Sequence, residues 1–271
     1  MSTKNKNELA KAESQLPAVI IDYGTDDIGR DEAGIPFLKI LQAQSPEVIG
    51  PDGIMEGARA GSLLNTGTEQ LGDEITLVPA FRQHVFVEWK PRDSGGGIVA
   101  VHAKDSDIVQ ASIAASETFG KYKTEGGNDL VETFYVFAVV LEDDSPAGFV
   151  VVPFSSMQIK KYKKGFINRL AYCLVDNGAG GKVKPPMFAH RIVLSTEVEK
   201  NDKGVWSNYV VKFAVDNNVQ QSLMTPDHPG FAAGKELRAM VASGEAVADT
   251  SKASSASEGG DDGDIDGKPA F

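Results

Sequence analysis

The chain is poor in the residues that build the common catalytic and metal-binding centres. It has one cysteine, Cys173, so no disulfide can form within it and a zinc site made of thiolates is not expected. Its four histidines, His84, His102, His190 and His228, are scattered and show no HExxH or other paired spacing. No apolar run approaches the roughly 18 residues that a membrane helix requires. The opening residues, MSTKNKNELAKAESQ, have no apolar core, so no secretory signal is expected and a cytoplasmic protein is the default expectation. Positive charge is also short overall. The net charge is -11, which argues against a simple basic surface for polyanions.

Motifs that look like chemistry fail on inspection. DNGAGGKV, from Asp176 to Val183, resembles a phosphate loop, but aspartate stands at its first glycine position and Val183 where a metal-binding hydroxyl belongs. It reads as a loop. Ser94-Gly95-Gly96-Gly97 lacks a nucleophile elbow and reads as a hairpin turn. Asp143-Asp144, between a strand-like run and Ser145-Pro146, reads as a turn rather than a metal pair. No enzyme is expected, and no cofactor.

What the chain does have is polarity of charge along its length. From Lys160 to Arg191 there are eight basic residues and one acid, a net of +7. From Ala248 to Phe271 there are six acids and two lysines, a net of -4. Local field, not total charge, decides what binds an anion.

Apolar and β-branched runs predict strands at 74–81, 83–89, 97–102, 133–141, 148–153, 188–198 and 205–215. A shorter one is expected within 37–42, and EKNDKG suits a hairpin loop between the last two. Helices are predicted at 105–119, 155–174 and about 230–242. In 155–174, Ser155 or Ser156 is placed to cap, and Ile159, Tyr162, Phe166 and Leu170 share one face. Residues 1–16 are expected to be flexible, 17–247 to form one body, and 248–271 to be a disordered acidic tail. Many strands with few helices predict a β-rich α+β fold, as a partly closed antiparallel barrel with inserted helices.

Two regions set cations beside rings. In an unbroken strand Arg82, His84, Phe86 and Lys90 lie on one face, together with Glu88; Trp89 and Arg92 adjoin them. The helix carries Lys160, Lys161, Lys163, Lys164 and Arg169 around Tyr162. Rings stacking on bases and cations meeting phosphates are the means of binding single-stranded nucleic acid. Trp89, Phe86, Tyr162 and Tyr135 are the candidate platforms; the alternative for the strand is Phe86 in a core with the charges around it merely solvated. The lysine face suits a DNA backbone and also the chain's own acidic tail, and the two readings are compatible, since a tail covering the groove would come free when DNA binds.

The tail closes on DDGDIDGKPAF, clustered aspartates followed by a terminal ring. Asp261, Asp262, Asp264, Asp266 and Phe271 are arranged as a hook, the ring and carboxylate entering a pocket and the aspartates meeting a basic rim. With Ile265 and Pro269, this segment resembles the tails of bacteriophage and bacterial single-stranded-DNA-binding proteins, although Gly263, Gly267, Lys268 and Ala270 interrupt it. GIPFLKILQAQSPEV, VEWKPRDSGGG and SSMQIKKYKKGFINRL more loosely resemble phage replication-type proteins. The resemblance implies an oligonucleotide-binding fold and sequence-independent binding of single-stranded DNA in replication or recombination. It implies replication or recombination partners recruited by the tail, and no catalytic residues. Homo-oligomer formation is left open. The alternative is a phage structural or host-interaction protein with no nucleic-acid role; a metal-dependent nuclease stands third.

Overall fold

A computed structural model describes residues 34–49, 55–202 and 204–251. The expected hook, Asp261 to Phe271, lies outside the described residues, as do 1–33.

The organising element is one long strand, β4 (Glu74–Trp89), which the sequence divided in two at Arg82. It pairs antiparallel along most of its length with β7 (Asp129–Glu142). Its other edge is shared: β11 (Ile192–Asn201) takes Glu74 to Leu77, and β5 (Ile98–Ala103) takes Val85 to Trp89. β12 (Gly204–Phe213) pairs with β11, β8 (Ser145–Ser155) with β7, and the short β6 (Tyr122–Lys123) with the start of β7. The result is a seven-stranded antiparallel sheet in the order β12-β11-β4-β7-β6, with β5 and β8 branching from it. The β-rich α+β expectation therefore holds. The barrel does not: β12 and β6 end the path without pairing to each other, so the sheet stays open.

The turns follow their local chemistry. β7 and β8 join through Asp143 and Asp144, both with positive φ (47° and 65°), the conformation that a tight two-residue hairpin needs and aspartate tolerates. Ser94 to Gly97 joins β4 to β5, closed by the Lys90 N–H on the Gly97 carbonyl at 3.0 Å. Asn201 pairs with Gly204 at the β11–β12 turn.

Both faces of the sheet are covered. On one, helix α4 (Pro229–Ser243) buries Leu237, Met240 and Val241 against Val78, Phe137, Val139 and Leu141. On the other, helix α3 (157–171) packs Ile159, Tyr162 and Phe166 against Phe134, Phe154, Val211 and Phe213. Helix α2 (Asp107–Ala115) covers that second face further up, where Val109 meets Phe86, Tyr122 and Leu130. A small sheet of β1 (Leu38–Ile40), β2 (Leu63–Asn65) and β3 (Leu71–Gly72) adds Leu38, Ile40 and Leu63 to the α3 side. A single helical turn, α1 (Pro46–Ile49), follows β1 and supplies Glu47 to the buried Lys39 ammonium at 2.5 Å. None of the described helices is long and apolar enough to cross a membrane.

A bulge in β4 sets which residues face which helix. Pro79 lies opposite Ala138 and Phe81 opposite Phe137, so Ala80 is an extra residue. Before it, Val78 faces α4; after it, Val85 and Val87 do, and Arg82, His84, Phe86 and Glu88 turn to the opposite face. Without the extra residue this face would be exchanged with the other.

The outer edge of β12 is occupied by side chains. The Gln42 amide donates to the Ser207 carbonyl at 2.9 Å and accepts from its N–H at 2.8 Å, as a paired strand would. Asn217 accepts from the Phe213 N–H at 3.1 Å. Such capping blunts an edge that would otherwise recruit a strand.

Candidate nucleic-acid interface

Helix α3 comprises Met157–Tyr162, a π-helical stretch Lys163–Ile167, and Asn168–Ala171. Ile159, Tyr162 and Phe166 are buried as their spacing predicts, and Leu170 packs partly against the same cluster. Burying such a side chain contributes about 1.5–3 kcal/mol, against roughly 0–1 for a surface ion pair. The apolar face therefore seats the helix, and the lysines are carried outward as a consequence. The expected hydroxyl cap is absent: neither Ser155 nor Ser156 caps with its side chain. Instead Gln158 reaches back, its carbonyl accepting the Ser155 N–H at 3.1 Å. Gly165 is the point of closest approach, because a Cβ there would strike the Val211 backbone oxygen.

The helix and β4 meet over one ring. The Arg82 guanidinium carbon lies 4.8 Å, and the Lys163 ammonium 5.4 Å, from the centroid of Phe134 on β7. His84 stands edge-on to the same ring at 4.6 Å and stacks at 5.8 Å against Phe86. The row continues from Phe86 to Tyr122 at 5.9 Å and from Tyr122 to Phe119 at 6.4 Å. In the other direction Phe134 adjoins Tyr162 at 6.3 Å. The two regions singled out in the sequence, strand and helix, thus come together on one face. Cations held over an aromatic face gain from the ring's negative centre, and both remain exposed.

The lysines are not equivalent. Lys161 is held between Glu197 at 2.6 Å and Glu199 at 2.5 Å, and these two bonds raise its pKa. Lys160, Lys163 and Lys164 are exposed and form no ion pair among the described residues. Arg169 is engaged, donating to the Asn217 side chain and carbonyl and lying 4.9 Å from the Phe213 centroid. Lys90 is exposed beyond the end of β4, and Arg92 opens the short turn Arg92–Ser94.

Three expected platforms are interior rings. Phe86 is 5% exposed, Tyr135 3% and Tyr162 0%, so in this structure each packs rather than presenting a face to solvent. Trp89 is half-buried on the opposite face, against the α4 side, where it lines a cleft with Phe37, Ile98 and Tyr135. It does not join the lysine helix. Glu88, which a strand-face reading leaves in solvent, is buried. Burial pushes its pKa up, but bonds from Asn128 at 2.7 Å, His102 at 2.7 Å and Thr124 hold it below the usual carboxylate range. A Glu132 carboxylate oxygen lies 2.8 Å from His84 Nε2.

The sequence reading missed Phe134, which lies in a run apolar on both sheet faces, where alternation cannot assign an orientation. It also missed the two most exposed rings of the described chain, Tyr172 and Phe119.

No curated protein and no solved structure matches this chain. A family model does, over residues 10–247, and it is that of the Pam3 phage gp34-like protein. The match takes in the whole sheet and all three covering helices, and on it the chain belongs to the Pam3 phage gp34-like family of phage proteins.

Proposed function

We propose that this phage protein binds single-stranded DNA without sequence preference, through the face carrying Arg82, Lys160, Lys163 and Lys164. The observation that carries the proposal is the convergence of Arg82 and Lys163 on Phe134 from different elements. Two exposed cations fixed over a ring, with Lys160 and Lys164 alongside and in no ion pair among the described residues, make a local positive surface on a chain of net charge -11. Phosphates meeting that surface release counterions, which supplies affinity without reading base edges. An oligonucleotide-binding barrel is not required, because exposed cations on a helix packed against the sheet, beside the exposed Arg82 of the sheet itself, are enough to meet a phosphate backbone. The acidic segment ending in Phe271 serves replication or recombination partners and competes with DNA for the lysine face.

Ultraviolet cross-linking of a mixed-sequence single strand, followed by peptide mapping, tests the surface. Cross-links are expected in peptides spanning 82–92 and 157–172. Cross-links confined to other peptides would remove the assignment. Deleting 261–271 leaves DNA binding intact or tighter and abolishes partner recruitment; loss of DNA affinity on deletion contradicts the competition.

A further inference from the structure

Resting on that reading, we infer that Tyr172 is the base-stacking platform of the interface and that the single strand runs along α3 toward it. Lys160, Lys164, Asn168 and Tyr172 are all exposed, at a constant spacing of four residues. In a regular α-helix that spacing drifts by about 40° per step, so four such residues would wind away from one another. The wider turn at Lys163–Ile167 takes up part of this drift and keeps the stripe in line. The stripe therefore leads from two exposed ammonium groups to an aromatic ring.

Tyr172 is 86% exposed, and no ring contact engages it among the described residues. Its backbone is nonetheless fixed: its N–H donates to the Arg169 carbonyl at 3.3 Å, and the next residue, Cys173, is buried. A solvent-facing ring on an anchored backbone needs little ordering to receive a base. Just beyond it the β9–β10 hairpin, Val175–Asp176 paired with Lys182–Val183, returns exposed Lys182 and Lys184 toward the same end of the helix. Phe119, 73% exposed, lacks this setting, because the neighbouring Lys123 is paired with Asp129 at 2.5 Å.

The test compares wild type, Tyr172→Ala and Tyr172→Phe by anisotropy titration of a labelled single strand over a range of salt. Tyr172→Ala is expected to weaken binding roughly 5- to 150-fold, the range of one base–aromatic stack. The salt slope should stay unchanged, since the substitution removes no cation from the phosphates, and Tyr172→Phe should bind like wild type. Tyr172→Ala binding as tightly as a wild type that does bind would overturn the stacking role and leave the DNA reading intact. Weaker binding with a shallower slope would also overturn it, by assigning the residue to the phosphates rather than the bases. A wild type that binds no single strand overturns both.

Discussion

Gly165 stands against Val211 with no room for a methyl group: a Cβ on Gly165 would collide with the Val211 carbonyl oxygen. This close approach sets the height of α3 above the sheet, and through it the position of Lys163 over Phe134. Gly165→Ala is expected to destabilise the fold by about 1–3 kcal/mol, the usual cost of overpacking. Urea unfolding should show a lower midpoint at unchanged slope. An unchanged midpoint would mean that the helix does not seat on β12 in this way.

Lys161 and Lys164 are close in sequence but opposite in consequence. Lys161 is already compensated by Glu197 and Glu199, whereas Lys164 is exposed and forms no ion pair among the described residues. Lys164→Gln should weaken single-strand binding and lower the log–log salt slope by about 0.7 for each phosphate it no longer neutralises. Lys161→Gln should leave the slope unchanged. Equal effects from the two substitutions would show that their ion pairs do not matter to the interface.

Tyr162 separates packing from recognition. Its ring stacks on Phe154 at 4.6 Å, and its hydroxyl is buried without a hydrogen-bond partner among the described residues. Burial raises the pKa of that hydroxyl, so it stays neutral throughout the ordinary pH range. Removing an unsatisfied buried group is neutral or favourable, by up to about 1–3 kcal/mol. Tyr162→Phe is expected to be at least as stable as wild type in thermal melts and to bind DNA equally. A drop in DNA affinity with no change in melting would return Tyr162 to the interface.

His190 gives the fold an acid limit. It is fully buried, neither ring nitrogen has a partner among the described residues, and burial lowers its pKa to about 4. Its ring lies 5.8 Å from the Phe213 ring. The folded pKa lies below the unfolded one, so the unfolded chain binds the proton more tightly. The stability is therefore full above about pH 6.5 and lost progressively as pH falls toward 4, to a total of about 3 kcal/mol. Denaturant midpoints measured across that range should fall more steeply for wild type than for His190→Leu. Parallel curves would show that His190 is not the group responsible.

Much of the fold was legible because its strands carry β-branched runs and its turns carry Gly, Asn and Asp at the required places. Asp143-Asp144 and Ser94 to Gly97 read correctly as turns for that reason. The spacing of Ile159, Tyr162 and Phe166 placed α3 and its inward face. Closure into a barrel was not legible, because it depends on which strands pair at the ends of the sheet and no local pattern encodes that. The strand face was legible only in part. Arg82, His84 and Phe86 do share one side, but β7 is apolar on both sides, so neither Phe134 nor the burial of Phe86 under α2 could be read from alternation. Lysine density marked the helix but not which charges are free. That depended on Glu197 and Glu199, brought up by the β11–β12 hairpin from more than thirty positions away.

Titration of a labelled mixed-sequence oligonucleotide, single-stranded and duplex, at low and moderate salt tests the interface most directly. Strong preference for the single strand, with affinity falling steeply as salt rises, is the result expected of Arg82, Lys160, Lys163 and Lys164 acting on phosphates. Absence of binding to either form at low salt, by the full chain and by a chain lacking 261–271, would contradict it.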